Sequence, residues 1–386
     1  MIEVIKDKKQ WDEQLALVEY LDFYHTYDYH YLSKKDDELP ILIKYKDGNN
    51  CLILPLLMRS IENTAYNDAT SVYGYAGILT LHMDEYFNKE NFHNELNAFF
   101  NENNIVSVFS RLHPYLENEE MIFEGLGIIR SLGNVVYVDL TKTLEEQRAK
   151  FNKRLKSYLN KSRNLSTVID ANTEDYIETF IKLYELNMKR VDAEESYFFP
   201  DSYFYQILSS NDFESELKLC VHNETQAIIG GAIFIKKGNI VQYHLSALSE
   251  DSFHIDVDPI KLVIDEMRIK ATKEGFKYFN LGGGRGSSDD SLFRFKSGFS
   301  KEFKPFKLWK YIRPFGKEYL LGMFFLLGSS LANLAFPKLL GDLVNSGSQG
   351  SLGQTLNHTA LLLGLLLIFQ STFSYFRIVL FVNVTE

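Results

Sequence analysis

Charged side chains that could serve a reaction are concentrated in one segment near residue 290. Asp290, Arg294 and Lys296 fall within seven residues, and phenylalanines flank them. The glycine run Gly282–Gly284 precedes them and follows a short aromatic strand, which is typical of backbone that needs unusual dihedral angles or close approach by another group. Charges held on a rigid frame are what a catalytic site requires. We therefore predict that Lys277–Phe299 forms one edge of an active site; the simpler interpretation is a surface turn.

The rest of the first 312 residues repeats the order hairpin, strand, helix, strand. The first set of segments covers 41–58, 71–79, 83–100 and 105–114, and the second covers 217–235, 240–248, 259–275 and 276–284. Strands connected by crossover helices indicate α/β units. We predict an α/β fold with two tandem mixed-sheet domains, 1–145 and 146–312. Ligand clefts favour the interface between such domains.

A run of basic residues without an acidic one lies between the two sets. Its basic members are Arg148, Lys150, Lys153, Arg154, Lys156, Lys161 and Arg163. Apolar residues share one face at helical spacing, which predicts an amphipathic helix over 148–163. Because the whole chain carries a net charge of −10, a cationic stripe indicates an anionic ligand, such as tRNA or the phosphates of a nucleotide-linked or lipid-linked substrate. A solvated helix face is the alternative.

The C-terminal region contains two long apolar segments. Tyr319–Leu340 has Lys338 as its only charge, and Thr359–Val384 has only Arg377. Each is long enough to span a bilayer of about 30 Å. Lysines and arginines precede the first segment, whereas the loop between the segments has none. The positive-inside rule then predicts a two-helix transmembrane hairpin over 313–386 in the inner (cytoplasmic) membrane, with the large N-terminal region in the cytoplasm. A buried helical hairpin in a soluble protein is the alternative.

Composition excludes several classes of site. Only Cys51 and Cys220 occur, both in apolar runs, which predicts buried thiols rather than a disulfide framework. The nine histidines show no metal-type spacing, so we predict no metal site. The first residues lack the apolar stretch of a signal peptide.

The order of these parts resembles the Fem-type branch of the GNAT-like acyltransferases. The matching stretches, over about residues 10–310, are SVYGYAGIL, SRLHP, RAKFNKRLKSYLNKSRN, IIGGAIFI, IVQYHLSAL and FNLGGGRGSSDDSLFRFKSGFSKEF. Each stretch is weak evidence alone, whereas their order is specific at the level of the superfamily. The resemblance implies two tandem GNAT-like domains that transfer an acyl or aminoacyl group to an amine of a cell-envelope precursor, such as peptidoglycan or polysaccharide.

The resemblance also implies roles for individual residues. Such transfer needs a base for the ammonium proton and donors for the carbonyl oxyanion. We assign Lys296 to electrostatic stabilisation of the carbonyl or a substrate carboxylate, and Asp290 to a base or orienting role. The candidate substrate-binding residues are Tyr73, Tyr75, Arg111, Arg154, Tyr243, His244, Gly283, Gly284, Arg294 and Phe295. The alternative is that the tyrosines and His244 belong to the core, while Lys296 and Arg294 face solvent.

The acyl donor stays open between aminoacyl-tRNA and acyl-CoA. In members of the superfamily that use acetyl-CoA, a glycine-rich loop cradles the pyrophosphate at a helix N-terminus. The corresponding loop, Ser249–Pro259, has four acidic residues, no glycine and no lysine or arginine. Because acids repel a pyrophosphate, this departure favours aminoacyl-tRNA, bound elsewhere, for example by Arg148–Arg163. A plain N-acetyltransferase remains an alternative function.

A second resemblance covers the tail. LWKYIRPFGKEYLLGMFFLLGSSLANLAFPKLLGDLV is similar to the start of an ABC-exporter transmembrane domain. No Walker A motif occurs in the sequence. This resemblance implies exporter subunits as possible partners. It leaves a second alternative function, a membrane component of an export system whose cytoplasmic domain binds substrate.

Overall fold

The computed structural model describes residues 1–250, 257–313, 316–348 and 354–385. The chain divides into two units, Met1–Ile312 and Arg313–Glu386. We describe each unit by itself.

The first unit is built on one mixed sheet of 13 strands within the described residues. The strands are β1 (Ile2–Ile5), β2 (Glu38–Asp47), β3 (Asn50–Ser60), β4 (Asn67–Thr70), β5 (Leu79–His82), β6 (Ile105–Arg111), β7 (Ile128–Asp139), β8 (Ser166–Asp170), β9 (Glu214–His222), β10 (Ile228–Lys237), β11 (Ile240–Leu248), β12 (Tyr278–Gly282) and β13 (Glu302–Ile312). Their order across the sheet is β1-β2-β3-β4-β6-β13-β7-β12-β11-β10-β9-β8, and β5 pairs with β3 off this path. The sheet therefore runs without interruption through both halves of the unit.

Ten α-helices accompany this sheet in the described residues. They are α1 (Lys8–Leu15), α2 (Tyr27–Ser33), α3 (Lys89–Glu102), α4 (Glu119–Phe123), α5 (Leu144–Ala149), α6 (Lys153–Leu165), α7 (Glu174–Arg190), α8 (Asp201–Ser209), α9 (Pro259–Glu274) and α10 (Ser291–Lys296). The predicted α/β fold class is confirmed. The predicted boundary between residues 145 and 146 stays a prediction.

Strand β13, the last of the unit, lies in the middle of the sheet. It pairs antiparallel with β6, where Leu308 lies opposite Arg111, and with β7, where Glu302 lies opposite Tyr137. Trp309 of β13 is fully buried, stacks on Phe123 at 3.9 Å between ring centroids and donates its indole N–H to the Leu126 carbonyl at 2.6 Å. The end of the unit thus joins its two halves.

Two local differences from the sequence-based expectation have clear causes. The strand predicted over 71–79 is present only from Leu79 onward, because Gly74 and Gly77 have φ of +129° and +60°, outside the extended region. The helix predicted over 148–163 is two helices, α5 and α6. Asn152 separates them as the N-cap of α6, accepting the Leu155 N–H at 2.7 Å and donating its own N–H to the Gly298 carbonyl at 3.0 Å.

The second unit contains two long apolar helices, α11 (Gly316–Ser348) and α12 (Gln354–Thr385). Leu320–Asn345 and Ala360–Val379 each have a mean hydropathy of 1.6, so their length and composition permit a membrane span. The helices pack on each other through Phe325, whose ring lies 5.0 Å from Phe373 and 5.3 Å from Phe376.

A truncation pair tests the position of β13. A chain that ends after Ile312 keeps β13 and is expected to unfold in one cooperative urea transition. A chain that ends after Lys301 lacks the strand that joins β6 to β7, so we expect it to lose cooperative unfolding. Within the longer chain, Trp309→Ala is expected to lower the free energy of unfolding by about 3–5 kcal/mol. Equal cooperativity of the two chains would contradict the central position of β13.

Candidate active site

A gap opens in the sheet between β11 and β12. The two strands pair in parallel only from Ile240 opposite Tyr278 to Gln242 opposite Asn280. On its other side, β11 shifts register against β10, so that His244 has no partner between Tyr243 and Leu245. Such a bulge bends a strand and redirects its side chains. Tyr243 and His244 on one strand and the end of β12 on the other therefore border the gap.

Lys296 reaches this gap from the last turn of α10. Its side chain is buried, and Nζ donates a hydrogen bond to the Gly283 carbonyl at 2.8 Å. The same nitrogen lies 5.9 Å from the centroid of the Tyr243 ring. Burial lowers the pKa of Lys296 to about 8, and the Asp290 charge opposes this shift. The lysine therefore stays mainly protonated at neutral pH although little water surrounds it.

The glycine run is required by this close contact. Gly282 has a φ of +78°, and a Cβ added to it would lie 3.2 Å from Lys296 Nζ. A Cβ on Gly284 would lie 2.1 Å from the Ser288 carbonyl oxygen and 2.5 Å from Asp290 Oδ1. Larger residues would thus displace the segment that holds Lys296.

Asp290 is the N-cap of the helix that carries Lys296. Its Oδ1 accepts the Phe293 N–H at 2.9 Å, and its Oδ2 accepts the Arg285 N–H at 3.1 Å. Burial would raise the pKa of Asp290, but these backbone donors and the Arg285 charge outweigh it and lower the pKa. This geometry is that of an orienting residue, whereas the predicted role as base stays a prediction.

The N-terminal half of the unit contributes the facing wall. Burial raises the pKa of the Tyr75 hydroxyl to about 12, although the Arg111 charge and a hydrogen bond with the Gly283 backbone lower it in part. Tyr75 thus meets the same glycine as Lys296. The Arg111 guanidinium lies 5.7 Å from the centroid of the Tyr73 ring. Arg111 is half-buried and has no ion pair within the described part of the chain, so its charge remains available.

Tyrosines connect this wall to His244. The Tyr29 hydroxyl donates to the Tyr73 carbonyl at 2.8 Å, and the Tyr29 ring lies 6.1 Å from the His244 ring. His244 Nε2 is 2.7 Å from the Tyr203 hydroxyl. Burial lowers the pKa of His244 to about 3, which leaves the imidazole neutral at physiological pH. The site combines one buried cation, one half-buried cation and a neutral imidazole among aromatic rings.

Three predicted site residues lie outside this set of contacts. Arg154 is exposed on α6 and donates to the Tyr158 hydroxyl at 3.1 Å. Phe295 packs against Phe299, with 6.0 Å between the ring centroids. Arg294 is exposed on α10. The structure therefore brings together nine of the predicted site residues: Lys296, Asp290, Gly283, Gly284, Tyr243, Tyr75, Arg111, Tyr73 and His244. It does not join Arg154, Phe295 or Arg294 to them by any described contact.

The predicted cationic stripe is partly neutralised. Arg163 contacts Asp265 of α9 at 2.5 Å, Arg148 lies 4.0 Å from the same carboxyl, and Lys150 pairs with Glu302. Lys153, Arg154 and Lys156 of α6 form no ion pair in the ranges that the structure describes. Fewer basic side chains are therefore available to an anionic ligand than the sequence suggests, and these lie at the start of α6.

The acidic loop predicted to repel a pyrophosphate lies partly outside the described residues, which omit 251–256. At its described end, Asp258 is the N-cap of α9 and accepts the Lys261 N–H at 3.2 Å. Its other oxygen contacts the Lys261 ammonium. A carboxylate thus occupies the cap of this helix, where an anionic ligand would otherwise bind. No group of His, Cys, Asp or Glu arranged to hold a metal ion occurs among the described residues.

Sequence reasoning missed a set of buried polar residues behind the gap. Its members are Asp22, His113, Gln242 and Asn280, each at most 3% exposed. A signal existed, because Gln242 and Asn280 are single amides within apolar strands, and buried amides need hydrogen-bond partners.

Comparisons with known proteins rest on structure. No protein-family profile matches the chain, and no curated protein matches it by sequence. The crystal structure of FemX aligns with a TM-score of 0.60 and 14% identity over 80% of this chain and 97% of FemX. A conserved protein of unknown function from Bacteroides thetaiotaomicron aligns with a TM-score of 0.50 and 11% identity over 81% of this chain and 100% of its own.

These alignments identify the fold. The chain has the fold of FemX. A tandem GNAT protein from the clavulanic acid biosynthesis pathway also aligns, with a TM-score of 0.47 and 10% identity over 80% of this chain and 98% of that protein. The fold expectation is confirmed. The comparisons lend no support to the exporter resemblance of the tail.

The burial of Lys296 predicts a distinctive pH dependence of stability. Because the folded-state pKa of about 8 lies below the ordinary 10.5, the unfolded state binds more protons between these values, and stability rises with pH there. Below pH 8 the buried charge costs about 3 kcal/mol. Lys296→Met should therefore be more stable than wild type by up to that amount at pH 7, with the difference lost by about pH 10.5. Urea unfolding at several pH values measures this.

Lys301→Met is the matched control, since Lys301 is an exposed lysine five residues away. It should show no such pH-dependent difference. If Lys296→Met is no more stable than wild type at pH 7, the ammonium is not buried as described.

Proposed function

We propose that the protein is an acyltransferase of the GNAT superfamily that moves an acyl or aminoacyl group to an amine of a cell-envelope precursor. The observation that carries this proposal is the buried Lys296 ammonium, held against Gly283 beside the gap between β11 and β12 in a GNAT/Fem-like fold. A desolvated, fixed cation is suited to stabilising a developing oxyanion.

In the proposed reaction the acceptor amine attacks the carbonyl carbon of an ester or thioester. A C–N bond forms and the carbonyl oxygen becomes an oxyanion, which the Lys296 ammonium stabilises. The oxyanion collapses, the C–O or C–S bond to the donor breaks, and the ammonium proton leaves to the departing group or to water. Lys296 keeps its own proton throughout, which fits a pKa of about 8. The aromatic wall with Tyr75 limits access of water.

Two features favour aminoacyl-tRNA as the donor over acyl-CoA. Asp258 places a carboxylate at the start of α9, and this charge opposes a pyrophosphate. Lys153 and Arg154 are exposed at the start of α6, where phosphates of a larger donor can reach them. Acetyl-CoA is the alternative donor, and its use would make the protein a plain N-acetyltransferase.

The acceptor is proposed to be anionic. Arg111 is half-buried next to the site, its ring partner is Tyr73, and guanidinium groups suit carboxylates and phosphates. A lipid-linked or nucleotide-linked precursor carries such groups. The apolar helices α11 and α12 would place the enzyme at the inner membrane, where lipid-linked precursors are found. An export function has only this helix pair as support; it predicts that the full chain co-purifies with a nucleotide-binding subunit.

Substitution of Lys296 tests the catalytic proposal. Lys296→Met should lower kcat for transfer by about 10²–10³-fold, the typical effect of removing one oxyanion-stabilising donor, with little change in KM. Lys301→Met should leave both constants near the wild-type values. Steady-state assays with charged tRNA and with acetyl-CoA, each with an amine-bearing envelope precursor, provide the measurement. Full activity of Lys296→Met would remove Lys296 from the mechanism.

A salt titration tests the donor. Charged tRNA should bind with an affinity that falls steeply as salt rises, and Arg154→Gln should reduce the slope of log K against log salt by about 0.7–0.9. Lys189→Gln is the control, because Lys189 is exposed and paired with Glu185 on α7. Calorimetry with each donor provides the affinities. Tight binding of acetyl-CoA, with an affinity that Arg154→Gln does not change, would instead favour the N-acetyltransferase alternative.

A further inference from the structure

The amides of Gln242 and Asn280 lie at the point where β11 and β12 separate. They form the last register pair between the two strands, and each is at most 2% exposed. Their neighbours Val241, Phe279 and Leu281 belong to the apolar core behind the sheet. Because side chains alternate along a strand, both amides point to the opposite face.

On that face the amides belong to a chain of hydrogen bonds. Gln242 Nε2 donates to Asp22 Oδ2, and Gln242 Oε1 accepts from Asn280 Nδ2 at 2.8 Å. Asn280 Oδ1 then accepts the Gly282 N–H at 3.1 Å and the Tyr115 hydroxyl at 3.2 Å. The chain thus runs from Asp22 in the N-terminal half to the first glycine beside Lys296.

The orientation of each amide is fixed by the two ends of this chain. Asp22 Oδ1 accepts the Phe23 N–H at 2.7 Å, and its Oδ2 also faces His113 Nε2 at 3.1 Å. Since His113 Nδ1 accepts the Tyr115 N–H at 3.3 Å, the ring proton is on Nε2 and points to Asp22. At the other end the Gly282 N–H can only donate. If either amide were rotated by 180°, two acceptors or two donors would face each other. Only one orientation of each amide therefore satisfies every hydrogen-bonding group.

We propose that Asn280 is a positioning residue. Asp22 orients the Asn280 amide through Gln242, and Asn280 in turn holds the backbone of Gly282 and Gly283 in place for Lys296. Gly282 adopts a positive φ of 78°, and Gly283 accepts the Lys296 hydrogen bond at 2.8 Å. The Asn280 side chain fixes Gly282 by accepting the hydrogen bond of the Gly282 N–H. It acts through the backbone and touches no reacting atom.

The inference rests on the proposed function only for its effect on transfer. Its effect on Lys296 can be measured without any substrate. Asn280→Leu keeps the size of the side chain but removes its three hydrogen bonds, so Gly282 is released and water can reach Lys296. The titration midpoint of Lys296 should then rise from about 8 by roughly one pH unit, as desolvation weakens.

The midpoint is obtained from the pH dependence of Lys296 methylation, followed by peptide mass spectrometry on the full chain. In the transfer assay, Asn280→Leu should lower kcat about 10–100-fold while KM changes less than about threefold, because misplacement of a catalytic group acts mainly on the chemical step. Asn280→Ser, which keeps a short polar group, is the second variant if Asn280→Leu does not fold.

Gln147→Leu is the matched control. Gln147 is an amide 1% exposed that bonds to the Lys142 carbonyl and to Arg268, away from the Asp22–Gly282 chain. It should lower the urea midpoint but leave the Lys296 titration and kcat unchanged. An unchanged Lys296 titration in Asn280→Leu, or equal changes in both variants, would overturn the proposal. If no donor or acceptor supports transfer, the proposed function fails, and the titration still decides the role of Asn280.

Discussion

The burial of the Lys296 ammonium beside the Gly283 carbonyl is the constraint to which the surrounding structure is fitted. A lysine charge is stabilised by water, and its removal from water lowers the pKa to about 8. The Asp290 charge opposes this shift, so the ammonium stays mainly protonated at neutral pH, and a backbone carbonyl accepts its hydrogen bond at 2.8 Å. The result is a cation that is both desolvated and fixed, and such a group interacts more strongly with a developing negative charge than an exposed lysine does.

Several elements serve this one contact. Asp290 caps the short helix that carries Lys296, and the same carboxylate accepts the Arg285 N–H of the preceding loop. The glycines permit a backbone path that other residues would obstruct. Asn280 accepts the Gly282 N–H and is itself linked to Asp22 of the N-terminal half. The position of one ammonium thus depends on both halves of the first unit.

The continuous sheet makes this cooperation possible. Because β13 pairs with β6 on one side and β7 on the other, the halves share backbone hydrogen bonds rather than a simple domain interface. The facing wall, with Tyr75 and Arg111, is therefore held at a fixed distance from the gap between β11 and β12. The basic residues illustrate the same dependence, since Arg148 and Arg163 meet Asp265 of α9, whereas Lys153, Arg154 and Lys156 at the start of α6 form no ion pair in the described part of the chain.

Most regular elements could be predicted from the sequence. The hairpin at Asp47–Asn50, the strand Ile240–Leu248 and the helices α7 and α9 follow from apolar periodicity and turn residues, which act over a few neighbours. Lys296 became a candidate site residue because glycines and phenylalanines surround a lysine in one short segment. Local signals also misled, because Gly74 and Gly77 end the extended conformation expected over 71–79.

What only the tertiary structure decided is which distant residues meet. Lys296 and Arg294 are basic residues two positions apart in one segment, yet Lys296 is buried and Arg294 is exposed. Asp22 and Gln242 are separated by 220 positions, and no local pattern joins them. The sequence by itself determined the elements, because helix and strand preferences are properties of neighbouring residues. The position of β13 in the sheet and the pairing of the buried polar groups depend on contacts between distant parts of the chain. Only the tertiary structure could therefore determine which residues form the candidate site.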